Sequence, residues 1–142
     1  LSGRNLNDGM SKYIAEKMIK MINNLSTTKD KNNILVLGLT FKEDCPDIRN
    51  TKVIDVINSF SKSKYLVDVY DPWAKSQEAE NEYGIKLIDR LDSNKYDGII
   101  LCVSHREFKE MGIDKIKSLG KDEHILFDLK SVFDKDQSDF RL

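Results

Sequence analysis

A chain of 142 residues with 23 Lys and Arg against 24 Asp and Glu has a formal net charge of −1, which gives it no field to gather nucleic acid or an anionic membrane. Its length suits one domain with a real core, and 39% hydrophobic with 33% charged residues suits a soluble globular chain. No apolar run approaches bilayer length, and two cysteines, Cys45 and Cys102, make no disulfide framework, so a reducing cytoplasmic setting is expected.

The opening Leu1-Ser2-Gly3-Arg4-Asn5 has neither an initiator methionine nor a signal-peptide pattern, and it reads as part of something longer. Met10, Ile14, Met18, Met21, Ile22 and Leu25 then fall at helical spacing. They predict a helix from about Asn7 to Leu25, with Asn7 or Asp8 to cap it. A polar connector, residues 26–32, breaks the pattern. After it the rhythm alternates: strand Asn33–Leu39, helix Thr51–Ser63, strand Tyr65–Tyr70, helix Ala74–Tyr83 with Gly84 as its cap. A brief third strand is predicted at Ile85–Ile88 and a fourth, almost wholly apolar, at Tyr96–Val103. Short helices at His105–Met111 and Asp114–Leu119 lead to a fifth strand, His124–Leu129, and a charged tail with little to bury. The pattern predicts an α/β fold with a Rossmann-like, doubly wound, mostly parallel five-stranded sheet. The first helix is expected to lie outside it as a linking or interface element.

In such a sheet, ligands lie beyond the carboxyl ends of the strands. That edge is supplied by residues 38–50, by Asp71-Pro72-Trp73, by Ser104-His105-Arg106 and by Lys130-Ser131. They offer Lys42, Arg49, Arg106 and Lys130 as cations and Phe41 and Trp73 as flat apolar surfaces, beside the start of a helix near Thr51. An anion such as a phosphate, with a ring system attached, suits these groups. Solvated charges of no function are the plainer alternative.

Independent dinucleotide binding is disfavoured. The first loop reads G-L-T-F-K-E where the fingerprint is G-x-G-x-x-G, and Asp71 before a proline is explained as a turn former. A magnesium-dependent phospho-acceptor site needs an acidic pair directly after strand one, where Gly38-Leu39-Thr40 stands instead. Cys102 and His105 form a C-x-x-H with no second pair at metal-ligand spacing, so no metal is expected.

The run from Gly38, G-L-T-F-K-E-D-C-P-D-I-R-N-T-K-V, resembles the G-x-x-F-K and D-x-R-x-[ST] motifs in the C-terminal domain of the UDP-glucose/GDP-mannose dehydrogenase family. The likeness continues in order through G-R-N-L-N-D-G-M-S-K-Y-I-A-E, V-D-V-Y-D-P-W, D-G-I-I-L-C-V-S-H-R-E-F and F-D-L-K-S, spanning nearly the whole chain. The C-P-D-I-R-N-T and Y-D-P-W segments look closest to bacterial enzymes that oxidise UDP-N-acetylhexosamines for surface polysaccharides.

The resemblance implies a whole enzyme that oxidises C6 of a nucleotide sugar to the carboxylate with two NAD+, through a cysteine thiohemiacetal and thioester. That cysteine, its catalytic partners and the glycine-rich NAD-binding domain belong upstream of Leu1, and no catalytic residue is expected in this chain. It implies residues 1–28 as the end of a central dimerisation helix region and 29–142 as the UDP-sugar-binding domain, in a homodimer. Met10, Ile14, Met18 and Ile22 are expected to form an apolar stripe buried in that dimer interface.

By the same resemblance Phe41 and Lys42 contact the UDP-sugar, with a core plug under the loop as the structural alternative for Phe41. Arg49 reaches NAD held by the upstream domain, or else pins the loop through Asp47 or Asp44. Lys130 stands where UDP-glucose enzymes carry arginine, so a bidentate contact is reduced to a single charge. Cys102 reads as a buried structural thiol. Trp73 and His105 resemble the same bacterial enzymes and have no role beyond packing and loop structure, and Arg106 is assigned no particular role. The other function class is a stand-alone nucleotide-binding or scaffold module without dehydrogenase chemistry.

Overall fold

A computed structural model describes Leu6 and residues 8–26 and 31–142. Asn7 and the side chain of Asp8, the predicted caps of the first helix, lie outside the described residues. The elements in chain order are α1 (Asp8–Asn23), β1 (Asn33–Leu37), α2 (Val53–Lys62), β2 (Leu66–Tyr70), α3 (Ser76–Tyr83), β3 (Tyr96–Leu101), α4 (Arg106–Met111), α5 (Ile113–Ser118) and β4 (Gly120–Asp128). The strands lie in the order β2-β1-β3-β4, and every pairing is parallel.

Alternation along the strands divides the core in two. Ile34 and Val36 of β1, Ile100 of β3 and Ile125 and Phe127 of β4 face one side, with Ile14, Met18 and Ile22 of α1 and Val53, Val56 and Phe60 of α2. Leu35, Leu37, Ile99, Leu101 and Leu126 face the other, with Phe108 of α4 and Ile116 of α5. Strands covered on both faces read as continuous apolar runs, as ILVL and IILCV do. The doubly wound parallel sheet is as the sequence predicts.

Three expectations are corrected. The sheet has four strands among the described residues rather than five. Ile85–Ile88 lies beside β2 but makes one backbone bond to it, Ile88 N–H to Val69 O at 2.9 Å, and one bond builds no ladder. Second, the α1 stripe is not left for a partner: Ile14, Met18 and Ile22 are fully buried within this chain. Gly98 of β3 makes room for them, because a Cβ there would lie 2.7 Å from Met18 Sδ and 3.0 Å from Ile22 Cδ1.

Third, the tail does bury something. Phe140 packs on Phe127 with ring centroids 4.8 Å apart and edge-on to Tyr13 of α1 at 6.4 Å. Its carbonyl accepts from Asp128 N–H, while Asp139 exchanges bonds with the backbone of Leu126. The tail thereby covers the outer edge of β4, which would otherwise present unpaired backbone groups.

Candidate functional site

The strand order reverses between β1 and β3, and the loops leaving their carboxyl ends flank that point. Leaving β1, the chain turns at Gly38, whose φ is +102°. A Cβ there would sit 2.6 Å from Val103 Cβ, so this glycine is needed for close strand approach rather than for a phosphate. The next two N–H groups, of Leu39 and Thr40, both donate to Asp71 Oδ2, at 2.6 and 3.0 Å. In a dinucleotide site such groups stay free for the pyrophosphate. The edge of this sheet therefore does not fit a dinucleotide of its own.

Asp71 follows β2 directly, and its other oxygen accepts from Trp73 and Ala74 N–H, the expected turn. Oδ2 also bonds His105 Nε2 at 2.9 Å, and neither side chain is exposed. Burial pushes the Asp71 carboxyl up, but the hydrogen bonds from His105, Leu39 and Trp73 outweigh it and hold the group below its ordinary range. On the far side of the ring, Asp44 N–H donates to His105 Nδ1 at 2.9 Å. Nδ1 is thus the acceptor, which leaves the ring proton on Nε2, facing Asp71. With both nitrogens engaged, His105 is no partner for Cys102 at a metal.

Trp73 stacks on His105 at 6.1 Å, donates from Nε1 to Glu107, and lies under the Arg106 guanidinium at 5.2 Å. Sequence reasoning left Trp73 and His105 with packing and loop structure, and Arg106 as an edge cation with no particular role. Their convergence joins the loops that leave β2 and β3, and Asp44 brings in the loop from β1, which no local pattern records. The available signal was two polar residues, Asp71 and His105, standing just past apolar strands.

The loop's apex is open. Phe41 is 57% exposed, which removes the core-plug alternative; the plug beneath the loop is Ile48, 3% exposed. Tyr83 Oη donates to the Ile48 carbonyl at 2.6 Å and fixes that arm. Phe41, Lys42 and Lys130 line one cleft of about 580 Å³, a size that suits a small-molecule ligand. Its floor is Cys102 and Val103, and Thr51 and Val53 bring the start of α2 to its side, with Thr51 Oγ1 accepting from Val53 N–H. Burial pushes the Cys102 thiol up to about 12 despite the nearby Lys130 charge, so it is a closed structural thiol.

Arg49 is elsewhere. Its side chain, 81% exposed, lies over a separate groove between the loop and α3 and forms a two-pronged pair with Asp47, at 3.0 and 3.1 Å. That pair holds the Asp47 carboxyl below its ordinary range. The loop therefore presents Phe41 and Lys42 to one side and Arg49 to the other.

The fold and this edge define a doubly wound ligand-binding domain whose cleft offers cations and an aromatic ring at the switch point. The model of the UDP-glucose/GDP-mannose dehydrogenase family, UDP binding domain, matches residues 35–135, and the chain belongs to that family. It is 47% identical over all 142 residues to a UDP-N-acetyl-D-glucosamine 6-dehydrogenase of Pseudomonas aeruginosa and 46% to one of Salmonella typhi. It covers 34% and 33% of those proteins, so the chain spans about a third of the length of the curated relatives it matches. Among solved structures, the UDP-N-acetyl-mannosamine dehydrogenase Cap5O of S. aureus superposes with a TM-score of 0.71 at 21% identity, over 95% of this chain and 30% of that one. At that identity the likeness supports the fold alone.

Proposed function

We propose that this chain is the UDP-sugar-binding domain of an NAD-dependent nucleotide-sugar 6-dehydrogenase that oxidises C6 of a UDP-N-acetylhexosamine, or of UDP-glucose, to the carboxylate for surface polysaccharide synthesis. The observation that carries this reading is the single cleft lined by Phe41, Lys42 and Lys130 inside the family's matched segment. Phe41 offers a face to an aromatic base or sugar, and the two ammonium groups offer point charges to a diphosphate. Residues 29–142 form the binding domain, and residues 1–28 end the central region that joins it to an upstream NAD-binding domain. Arg49, exposed on the other side of the loop, reaches the NAD held there.

The chain alone is expected to carry out no oxidation: neither Cys102, which is closed, nor the half-buried Cys45 of the loop matches the family's nucleophile, and the sheet edge does not fit the dinucleotide. The whole protein works as a cytoplasmic homodimer, whose interface uses a face other than the buried α1 stripe. Names of relatives favour the N-acetylhexosamine substrate over glucose.

Titration of the chain with UDP and with UDP-N-acetylglucosamine tests the cleft. Half a pocket is expected to bind with a Kd of ~1 mM, about −4 kcal/mol. Lys42→Ala should weaken that roughly tenfold. The full-length protein, given NAD+ and UDP-N-acetylglucosamine, should release two NADH per uronate formed. No turnover on any UDP-hexose would sink the dehydrogenase reading and leave a binding module.

A further inference from the structure

The loop between β1 and α2 meets one buried imidazole at two places. At its start, Leu39 and Thr40 N–H hold Asp71 Oδ2, which accepts in turn from His105 Nε2. Five residues on, Asp44 N–H donates to Nδ1 of the same ring. Asp44 sits at φ +53°, in the left-handed region that aspartate enters more readily than most non-glycine residues. Its surroundings hold it there: its N–H is on His105, and its Oδ1 accepts from Arg106 N–H at 2.8 Å. Between these anchors the chain bulges outward, with Thr40 Oγ1 donating to the Lys42 carbonyl at 2.9 Å. Phe41 and Lys42 stand at the crest, exposed and facing the cleft.

We propose that His105 is a positioning residue. As a fully buried, Nε2-protonated ring it clamps both ends of the 39–44 segment, and so fixes the direction in which Phe41 and Lys42 meet a uridine-diphosphate ligand. The ligand half of this inference rests on the function proposed above. The two ring nitrogens have separate tasks. Nε2–H orients Asp71, which holds the loop's start; Nδ1 fixes the left-handed residue at its end. Trp73, stacked on the ring, and Phe108, tilted against it at 5.6 Å, keep the imidazole from rotating between these partners.

The tasks separate by substitution. His105→Gln places an amide N–H near the Nε2 position and lacks an acceptor at Nδ1, whereas His105→Asn places an oxygen near Nδ1 and lacks the Nε2 donor. Hydrogen exchange of the segment, thermal melting and UDP titration are measured for wild type and both variants in the full-length protein. In His105→Gln the Asp44 amide should lose protection and UDP affinity should fall roughly tenfold, the scale of one ordered hydrogen bond. Melting should change less than in His105→Asn, which leaves Asp71 without its buried donor yet retains protection at Asp44. A purely structural histidine would instead lower the melting temperature in both variants and leave UDP affinity and Asp44 exchange in step with global stability; that result overturns the clamp. Unchanged affinity and exchange in His105→Gln overturns it equally. Wild type that fails to bind UDP, with Asp44 exchange responding as stated, sinks the nucleotide reading and the ligand half of the inference while the clamp on the loop stands.

Discussion

Asp71 shows how one buried carboxylate sets the local structure of a binding edge. It accepts five hydrogen bonds, from the N–H groups of Leu39, Thr40, Trp73 and Ala74 and from His105 Nε2. Asp71→Asn turns one oxygen into a donor aimed at other donors, and the expected loss is about 3 kcal/mol in chemical denaturation at neutral pH. The pH dependence has a definite sign. The folded-state pKa lies below the ordinary 3.8, so the carboxylate's stabilisation is fully present above 3.8 and is lost as pH falls through the folded value. The stability gap between wild type and Asp71→Asn should therefore be constant through the neutral range and narrow only below about pH 3.8. A gap that closes near neutrality would mean another group carries the effect.

At the scale of elements, α1 is the piece whose placement matters most. It packs across β3 at Gly98, where a side chain would meet Met18 Sδ at 2.7 Å, Ile34 Cδ1 at 2.9 Å and Ile22 Cδ1 at 3.0 Å. These atoms are tips of side chains, so alanine is accommodated by small shifts, while valine overpacks the contact. Gly98→Val should cost about 2 kcal/mol. Met18→Ala in the same chain should recover part of that loss, giving a coupling above about 0.5 kcal/mol in a double-mutant cycle. Additive losses would show that α1 does not bear on Gly98.

The periodicity of α1 was legible, but not what its stripe faces, because an apolar face has the same spacing against a sheet as against a partner. Gly98 was a mark of that contact, hidden in a strand read only for its hydrophobicity. Ile85–Ile88 has a strand's composition, but pairing depends on backbone geometry that four residues after the left-handed Gly84 cap do not reach. The tail was misread through its charges, since Phe140 alone supplies its anchoring ring.

Over the whole molecule, the sheet edge has two sides, and the loop from Gly38 to Lys52 divides them. Phe41, Lys42 and Lys130 were legible as a group from the family motifs, and the fold brings them to one cleft. The motifs already set Arg49 apart from Lys42, and the fold adds the groove it faces, seven residues on, with Asp47, Lys75 and Glu78. If the function proposed above holds and the two sides serve two ligands in the full-length protein, their cations should separate kinetically. Lys42→Ala removes a charge that lines the cleft and reaches Asp47 only weakly, and on that reading roughly a tenfold rise in KM for the sugar nucleotide is expected, with KM for NAD+ little changed. Arg49→Ala should do the converse. Its Asp47 pair is exposed on the surface, and such pairs contribute little to stability, so the melting temperature should stay near wild type. A fall in stability without a change in KM for NAD+ would instead assign Arg49 to pinning the loop through Asp47. The pair of variants thus distinguishes a loop that sorts two ligands from one whose cations act together on a single diphosphate, where both substitutions would raise the same KM.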